Sequence, residues 1–484
     1  MIRASNLEIA VLLAGMIILM LEAFAPRIEK RTLAFAAIGA LAAVFVATWF
    51  VGPNPGSETL RGFWSFYTAD PLSIFFKRFA LLTTILVLIM MLDYAPVVLV
   101  EMTGPSRLGE FFALPIFTCA GLMYLVSAID FVMIFVSLEL VTISFYVLVS
   151  FNRRNPATLE AGVKYLVLSA LAAAFLVYGI TWIFGVTGET NLSRIAAALA
   201  DPATEKSGAL FGAVLVIVAL GFKIAAVPFQ VWVPDVYQGA PTPVTAYLSV
   251  GSKAAGFVVL LRVLRPFSML PQMQRVIVLI ALLTLLYGNL AALPQTNLKR
   301  LLAYSSIAHA GYLLIGVACF DGDAVVFYLV AYLLMTLLSF AVLVIVSQQT
   351  GEQIGDFDGL ASRSPFLAFA MLIGMVSLAG LPFTAGFFGK FFIFYSAIAQ
   401  HQIALVIAGI ITVACGFYYY LKVVRAMYWQ SANNLAAIPL SVLSRTAIVA
   451  MIIATIFLGV YPQPILRALK VQDQSIALRS TSSR

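Results

Sequence analysis

Polar positions in this chain are sparse. Between them apolar residues run for about twenty at a time, the length that crosses the hydrocarbon core of a bilayer as a helix. Fourteen such runs are predicted to span a membrane: Leu7–Phe24, Leu33–Val51, Leu72–Leu92, Phe111–Ser127, Phe131–Phe151, Ala161–Gly185, Ala209–Val231, Val244–Leu264, Val276–Leu293, Leu301–Phe320, Ala324–Ser347, Pro365–Gln400, Ile403–Met427 and Ala447–Val460. Breaker-rich connections at Gly52–Gly56, Gly188–Gly208, Pro234–Pro243 and Gly351–Ser364 separate several of them. The first run holds Glu8 and Glu22 and lacks a basic leader, so it is expected to be a span rather than a removable signal.

Two runs are expected to be interrupted. In Gly221–Phe229 (GFKIAAVPF), Lys223 lies five residues before Pro228; in the twelfth run, Pro382 lies eight residues before Lys390. Proline and glycine inside a span free backbone carbonyls, which is tolerated only where protein or water re-satisfies them. The two interruptions are five spans apart. A repeat of five crossings enters the membrane from the opposite side in its second copy, and paired broken helices of this kind point to a transport site. The fold expected is therefore an all-α membrane protein of about 14 helices with two inverted five-helix repeats. Three helices would occupy residues 1–110, spans four to eight residues 111–264, spans nine to thirteen residues 276–427, and the last helix with its tail residues 428–484.

Composition strengthens this picture: 62% of residues are hydrophobic and 10% charged, with a mean hydropathy of +1.02, far from the usage of soluble domains. The formal net charge of +8 fits basic loops at an anionic membrane surface, and no basic run with interleaved aromatics suggests nucleic acid. With an even span count, one side would hold Arg27, Lys30, Arg31, Arg107, Arg153, Arg154, Lys299, Arg300, Arg363, Lys422, Arg425 and Arg445; the other would hold Arg61, Arg194, Lys206, Arg262, Arg265 and Arg275. The richer side is expected to be cytoplasmic, with both termini opposite, although Arg467, Lys470, Arg479 and Arg484 of the tail blur the balance.

Candidate chemistry lies in the charges within the runs: Glu139, Lys164, Lys223, Lys253 and Lys390, with His309 as a polar companion. Five charges facing lipid would cost about 12–18 kcal/mol at roughly 2.5–3.5 kcal/mol each, so they must face the interior, a partner or water. An amine is ordinarily charged up to about pH 10. Burial disfavours that charge and a nearby carboxylate restores it, so a buried lysine beside a glutamate can act as a proton gate. Glu139 is expected to partner Lys223. Lys164, near the start of its span, can also be read as a snorkelling side chain, and Lys77 and Arg78 as anchors near a span end. Asp235, Asp321, Asp323, Asp356 and Asp358 read as loop residues. Cys119, Cys319 and Cys415 sit singly in apolar runs without metal-ligand spacing. No nucleophile elbow, phosphate loop or zinc-protease motif occurs, and His309 and His401 do not form a haem-binding pair within the spans.

Four segments carry a resemblance. Val227–Phe257 (VPFQVWVPDVYQGAPTPVTAYLSVGSKAAGF) looks like the signature of the antiporter-like, proton-pumping membrane subunits of respiratory complex I. Phe135–Leu148 resembles their glutamate-bearing fifth helix, Asn297–Tyr312 their tenth and Leu378–Phe394 their broken twelfth. Lys390, Ser252–Lys253 and the lack of a long extra helix after the last span are closest to the N type (the mitochondrial subunit 2 equivalent) rather than the L or M type. Gln230 departs from the pattern, which has histidine there. The resemblance implies a regulated Glu139–Lys223 pair modulated by Lys164, a central relay at Lys253 with His309 beside it, and an exit at Lys390. It also implies that NADH, FMN, iron–sulfur clusters and a quinone belong to partner subunits. The neighbours implied are M-type and small K- and J-type membrane subunits, with lipid around them in a bacterial inner membrane. A subunit of a multi-subunit cation/proton antiporter, or of an energy-conserving hydrogenase, is the rival reading.

Overall fold

Helices form where the apolar runs lie, and their ends are set by caps. In a computed structural model of the chain, residues 3–25, 29–52, 65–101, 108–268, 270–431 and 438–468 are described. Arg27, Arg61, Arg107, Lys470, Arg479, Arg484 and most of the 52–56 connection, used above, lie outside them. The helices are α1 Ser5–Phe24, α2 Lys30–Ala47, α3 Pro71–Glu101, α4 Leu108–Ser127, α5 Phe131–Val149, α6 Pro156–Thr187, the short α7 Leu192–Ala200, α8 Lys206–Ile224, α9 Val233–Gly239, α10 Thr242–Tyr247, α11 Lys253–Leu264, α12 Pro271–Ala292, α13 Leu298–Ala318, α14 Gly322–Thr350, α15 Leu360–Arg363, α16 Pro365–Ala379, α17 Ala385–Ala399, α18 Ile403–Trp429 and α19 Val442–Val460. Thirteen helical segments are long and apolar enough to cross a membrane, α10 to α11 and the turns around them counting as one; α16 and α17 are shorter apolar helices. Taken together, α16 and α17 make the fourteenth crossing expected from hydropathy.

Asp321, expected in a loop, starts a helix, as do Asp130 and Asn297. Asp130 accepts from Val132 N at 2.8 Å, Asn297 from Arg300 N at 2.9 Å and Asp321 from Ala324 N at 2.9 Å, each satisfying one of the free amides of a first turn. Connections on the same side are joined by isolated antiparallel bridges: Tyr67 with Ala128 and Asp130 with Asn191 at the end where the N-terminus lies, Asn297 with Gln353 at the other.

Burial grades from rim to centre. Helix α13 is wholly buried and α14 nearly so, whereas the faces of α1, α2 and α6 are largely exposed. Exposed apolar side chains such as Leu13, Ile17, Leu171 and Ile410 make a surface suited to lipid rather than water. Small residues allow the close central approach: a Cβ on Gly288 of α12 would lie 2.5 Å from the Ala308 amide of α13.

Three expected spans differ in detail. The seventh ends at Ile224, and the chain then turns through residues 225–232 into the separate α9, so the expected connection at 234–243 is partly helical. The eighth contains a π-helical turn at Leu248–Ser252, immediately before Lys253. The third runs on through Pro96 to Glu101, beyond the predicted Leu92. In the second half, α16 ends at Ala379 and the chain restarts at Ala385.

Candidate functional site

Lys223 lies at the first break. Helix α8 ends because Ala225 adopts the left-handed conformation, φ 65°. The Phe222 carbonyl accepts from Trp232 Nε1 at 3.1 Å, Gly221 O from Ala226 N at 2.8 Å, and Thr284 Oγ1 binds Val227 N at 3.0 Å. Lys223, on the last turn of α8, is 9% exposed and lies near the faces of Tyr165 and Phe222. Its ammonium donates to Thr142 Oγ1 of α5. The expected direct pair with Glu139 is not formed: among the described residues no carboxylate lies within 4 Å of Lys223. Thr142 is three residues beyond Glu139, on the same face of α5, so the hydroxyl occupies the place expected for the carboxylate. Glu139 itself is half-buried.

Lys253 follows the π-helical turn and is 1% exposed. Its ammonium donates to both the carbonyl and the hydroxyl oxygen of Ser306 on α13 and lies 5.5 Å from the Tyr332 ring centroid. Tyr237 of α9 reaches the same Ser306 hydroxyl at 3.3 Å. The stem of Lys223 lies beside this helix, since a Cβ on Gly256 would sit 3.7 Å from Lys223 Cβ.

The neighbouring Ser305 pairs with the Tyr420 hydroxyl of α18. Tyr420 in turn lies 3.1 Å from His309 Nε2, and His309 Nδ1 lies 2.7 Å from the Tyr328 hydroxyl of α14. Tyr312, one turn beyond His309, bonds Thr412 at 3.1 Å and presents its ring 5.0 Å from Lys390 Nζ. The second break holds Lys390, 6% exposed, by its own freed backbone: the ammonium donates to Leu378 O at 3.0 Å and Ala379 O at 2.7 Å. Gly380 is required there. Its φ is 89°, which favours glycine, and a Cβ would meet Lys390 Cδ at 2.8 Å. Pro382 lies in the turn between α16 and α17, and Pro228 in the turn after α8.

Lys164 stands apart at the rim. It pairs with Glu160 at 2.7 Å and Asp235 at 2.7 Å, and Asp235 pairs with Arg300 at 2.9 Å. Asp235, expected as a loop residue, thus ties α6 of the first half to α13 of the second from its place on α9. Burial would raise its carboxyl, but the hydrogen bonds of Lys164 and Arg300 outweigh this and hold it below the usual carboxylate range. The expectation for Lys77 is also corrected. Far from an interfacial anchor, it is fully buried against Glu8 of α1. Arg78 does sit at the span end, bonding Thr48 and covering Trp49. Buried Gln230 has no partner for its Oε1 among the described residues.

The geometry therefore brings Lys253, His309 and Lys390 together through α13 and seats Lys223 alongside. Sequence reasoning missed Thr142, Ser305, Ser306, Tyr237, Tyr312, Tyr328, Tyr332 and Tyr420, the groups that hold these side chains. The adjacent serines before IAHAGY were their most visible trace. The residues offer proton donors and acceptors, and no group of three or more potential metal ligands occurs among the described residues.

The comparisons agree with one another. Residues 128–416 match the family model described as NADH:quinone oxidoreductase/Mrp antiporter, TM. NADH-quinone oxidoreductase subunit N of Desulforamulus reducens is 38% identical over 98% of each chain. A chain in the structure of respiratory complex I from Thermus thermophilus with bound aureothin superposes with a TM-score of 0.80 at 31% identity, covering 95% of this chain and 98% of that one. The fold is shared further. A chain of an archaeal membrane-bound sulfane sulfur reductase gives a TM-score of 0.83 at 22% identity, over 98% of this chain and 97% of that one.

Proposed function

The chain belongs to the NADH:quinone oxidoreductase/Mrp antiporter transmembrane family, and from that premise we propose that it is a proton-translocating membrane-arm subunit of an NADH:quinone oxidoreductase. The observation that carries the reading is the row of three lysines, Lys223, Lys253 and Lys390, each no more than 9% exposed inside apolar helices. Among the described residues no carboxylate lies within 4 Å of any of them. Neutral acceptors suit a group that must gain and lose a proton, because they do not lock it in its charged form.

In this reading protons move along Lys223, Lys253, His309 and Lys390. Thr142 holds Lys223 in its resting position. A charge change that moves the side chain one turn toward Glu139 favours its protonated form. Release of that contact returns the proton to the row. Lys253, held at Ser306, passes it along α13 to His309, which Tyr420 links to Ser305, and Lys390 hands it out. Lys164, held by Glu160 and Asp235, sets the field near Glu139. Spans four to eight and nine to thirteen act as two inverted halves.

NADH, FMN, iron–sulfur clusters and quinone are assigned to partner subunits, with M-type and small K- and J-type membrane subunits and lipids as neighbours. The setting is a bacterial inner membrane with both termini on the periplasmic side. The rival is a cation/proton antiporter subunit, since the family spans both; genes for a quinone-site subunit beside this one favour the oxidoreductase.

The test is proton pumping per NADH oxidised by the purified complex in proteoliposomes, with Lys223, Lys253 and Lys390 changed to alanine singly. The reading expects each to lower the ratio. A merely structural row leaves pumping intact in assembled complexes.

A further inference from the structure

Another pair of ionisable groups is buried outside the lysine row. Glu8 on α1 and Lys77 on α3 are both 0% exposed, with Glu8 Oε1 2.8 Å from Lys77 Nζ. Tyr67, in the segment entering α3, touches both. Its hydroxyl donates to Glu8 Oε1 at 3.0 Å and accepts from the Lys77 ammonium. Burial first, and the Glu8 charge second, push the Tyr67 phenol above its ordinary range, so it stays protonated and able to donate. The second carboxylate oxygen, Glu8 Oε2, is buried without a partner among the described residues, and the Ser127 hydroxyl at the end of α4 lies beside the Tyr67 phenol.

The surrounding charges are engaged elsewhere. Arg78 turns to Thr48 and Trp49, Asp70 pairs with Arg262 at 2.8 Å, and Asp130 bonds Thr190. From α10, Tyr247 bonds Thr84 of α3. Apolar side chains would join α1 to α3 at least as well as an ion pair buried this deeply, and a carboxylate oxygen left unpaired adds further cost. The three groups close a triangle in which a donor, an amphoteric hydroxyl and an acceptor each touch the other two.

We propose that Glu8, Tyr67 and Lys77 form a second proton-transfer site of this chain, at the end of the bundle where the N-terminus lies. A Lys77 N–H bond breaks as an O–H bond forms on Tyr67. The original Tyr67 O–H breaks as one forms on Glu8. The ammonium–carboxylate pair becomes an amine and a carboxylic acid, Tyr67 is regenerated, and net charge is unchanged. Burial favours the neutral pair and mutual attraction the ionic one, so a charge arriving nearby shifts the balance. The proposal rests on the proton-translocating reading but lies outside the lysine path.

The test uses the whole complex in proteoliposomes. Infrared difference spectra between turnover and rest are recorded for the parent, Glu8→Gln, Glu8→Asp and Tyr67→Phe, with pumping per NADH measured on the same samples. Tyr67→Phe removes the relay hydroxyl and leaves the Glu8–Lys77 contact, so a purely structural ion pair tolerates it. The site predicts a carboxylic-acid band in the parent that shifts in Glu8→Asp and is absent in Glu8→Gln. In Tyr67→Phe that band rises about 10²-fold more slowly, as expected for loss of a positioned proton carrier. Absence of a band assignable to Glu8, or equal rates in the parent and Tyr67→Phe, overturns the proposal. A parent complex that does not pump refutes the general function instead.

Discussion

The two broken helices place a lysine at the same kind of discontinuity and hold it by opposite means. At the first, the freed carbonyls are taken by Trp232 and Ala226, which leaves Lys223 to a side chain, Thr142, on another helix. At the second, the freed carbonyls themselves hold Lys390. A contact between side chains on separate helices changes with a small movement, whereas carbonyls of a helix end move only if the break is remade. The difference assigns regulation to the first half and a fixed way-station to the second.

The strongest way to break this comparison is to remove a lysine. Lys390→Ala and Lys223→Ala should each slow proton pumping by about 10²-fold, the usual contribution of a positioned proton carrier, as measured in proteoliposomes. Loss at one position only would dissolve the pairing.

Next comes the asymmetry of the acceptors. Thr142→Val removes the Lys223 acceptor while nearly keeping shape. It should cost about 1.5–3 kcal/mol, the range for a hydrogen bond to a charged group, lowering pumping roughly tenfold or more and making its rate depend more steeply on Glu139→Gln. No side-chain substitution does the same at Lys390. There the backbone must be changed, and Gly380→Ala should lower complex stability by more than about 1 kcal/mol because of its positive φ, seen as a lower thermal midpoint.

A smaller effect is expected at the relay. Tyr420→Phe removes one His309 partner and the Ser305 contact, for about 1 kcal/mol of positioning, so pumping should slow about fivefold with assembly unchanged. The smallest is Asp235→Asn at the rim. The folded-state carboxyl lies below its unfolded value of about 3.9, so its stabilisation is present above that pH and is lost as pH falls through the lower folded value. The native protein should lose thermal stability on acidification below about pH 4, and the variant should show less of that loss.

Much of the architecture was legible because its causes are local. Apolar length marks a crossing, and Pro228 and Pro382 mark helices that could not continue. The charge of Lys223, Lys253 or Lys390 is expensive wherever it lies in lipid, so their burial was foreseeable. What holds them was not. Thr142, Ser306 and Tyr420 are ordinary residues of apolar runs, and their role arises only from which helix faces meet. Lys77 shows the same limit from the other side. It lies near the start of α3, so distance along the sequence suggested an anchor, whereas packing of α1 and α4 over that end buries it. Asp235 reads as a connector until α9 is seen folded back between α6 and α13.

The central claim is that Lys223 and Lys390 serve one path in series. Pumping per NADH by complexes carrying Lys223→Ala, Lys390→Ala and both together tests it most directly. Groups that act as a unit lose no more together than the worse one alone, so the double variant should match the more impaired single. Losses that multiply in the double variant, or single variants that pump as well as the parent, would contradict the account.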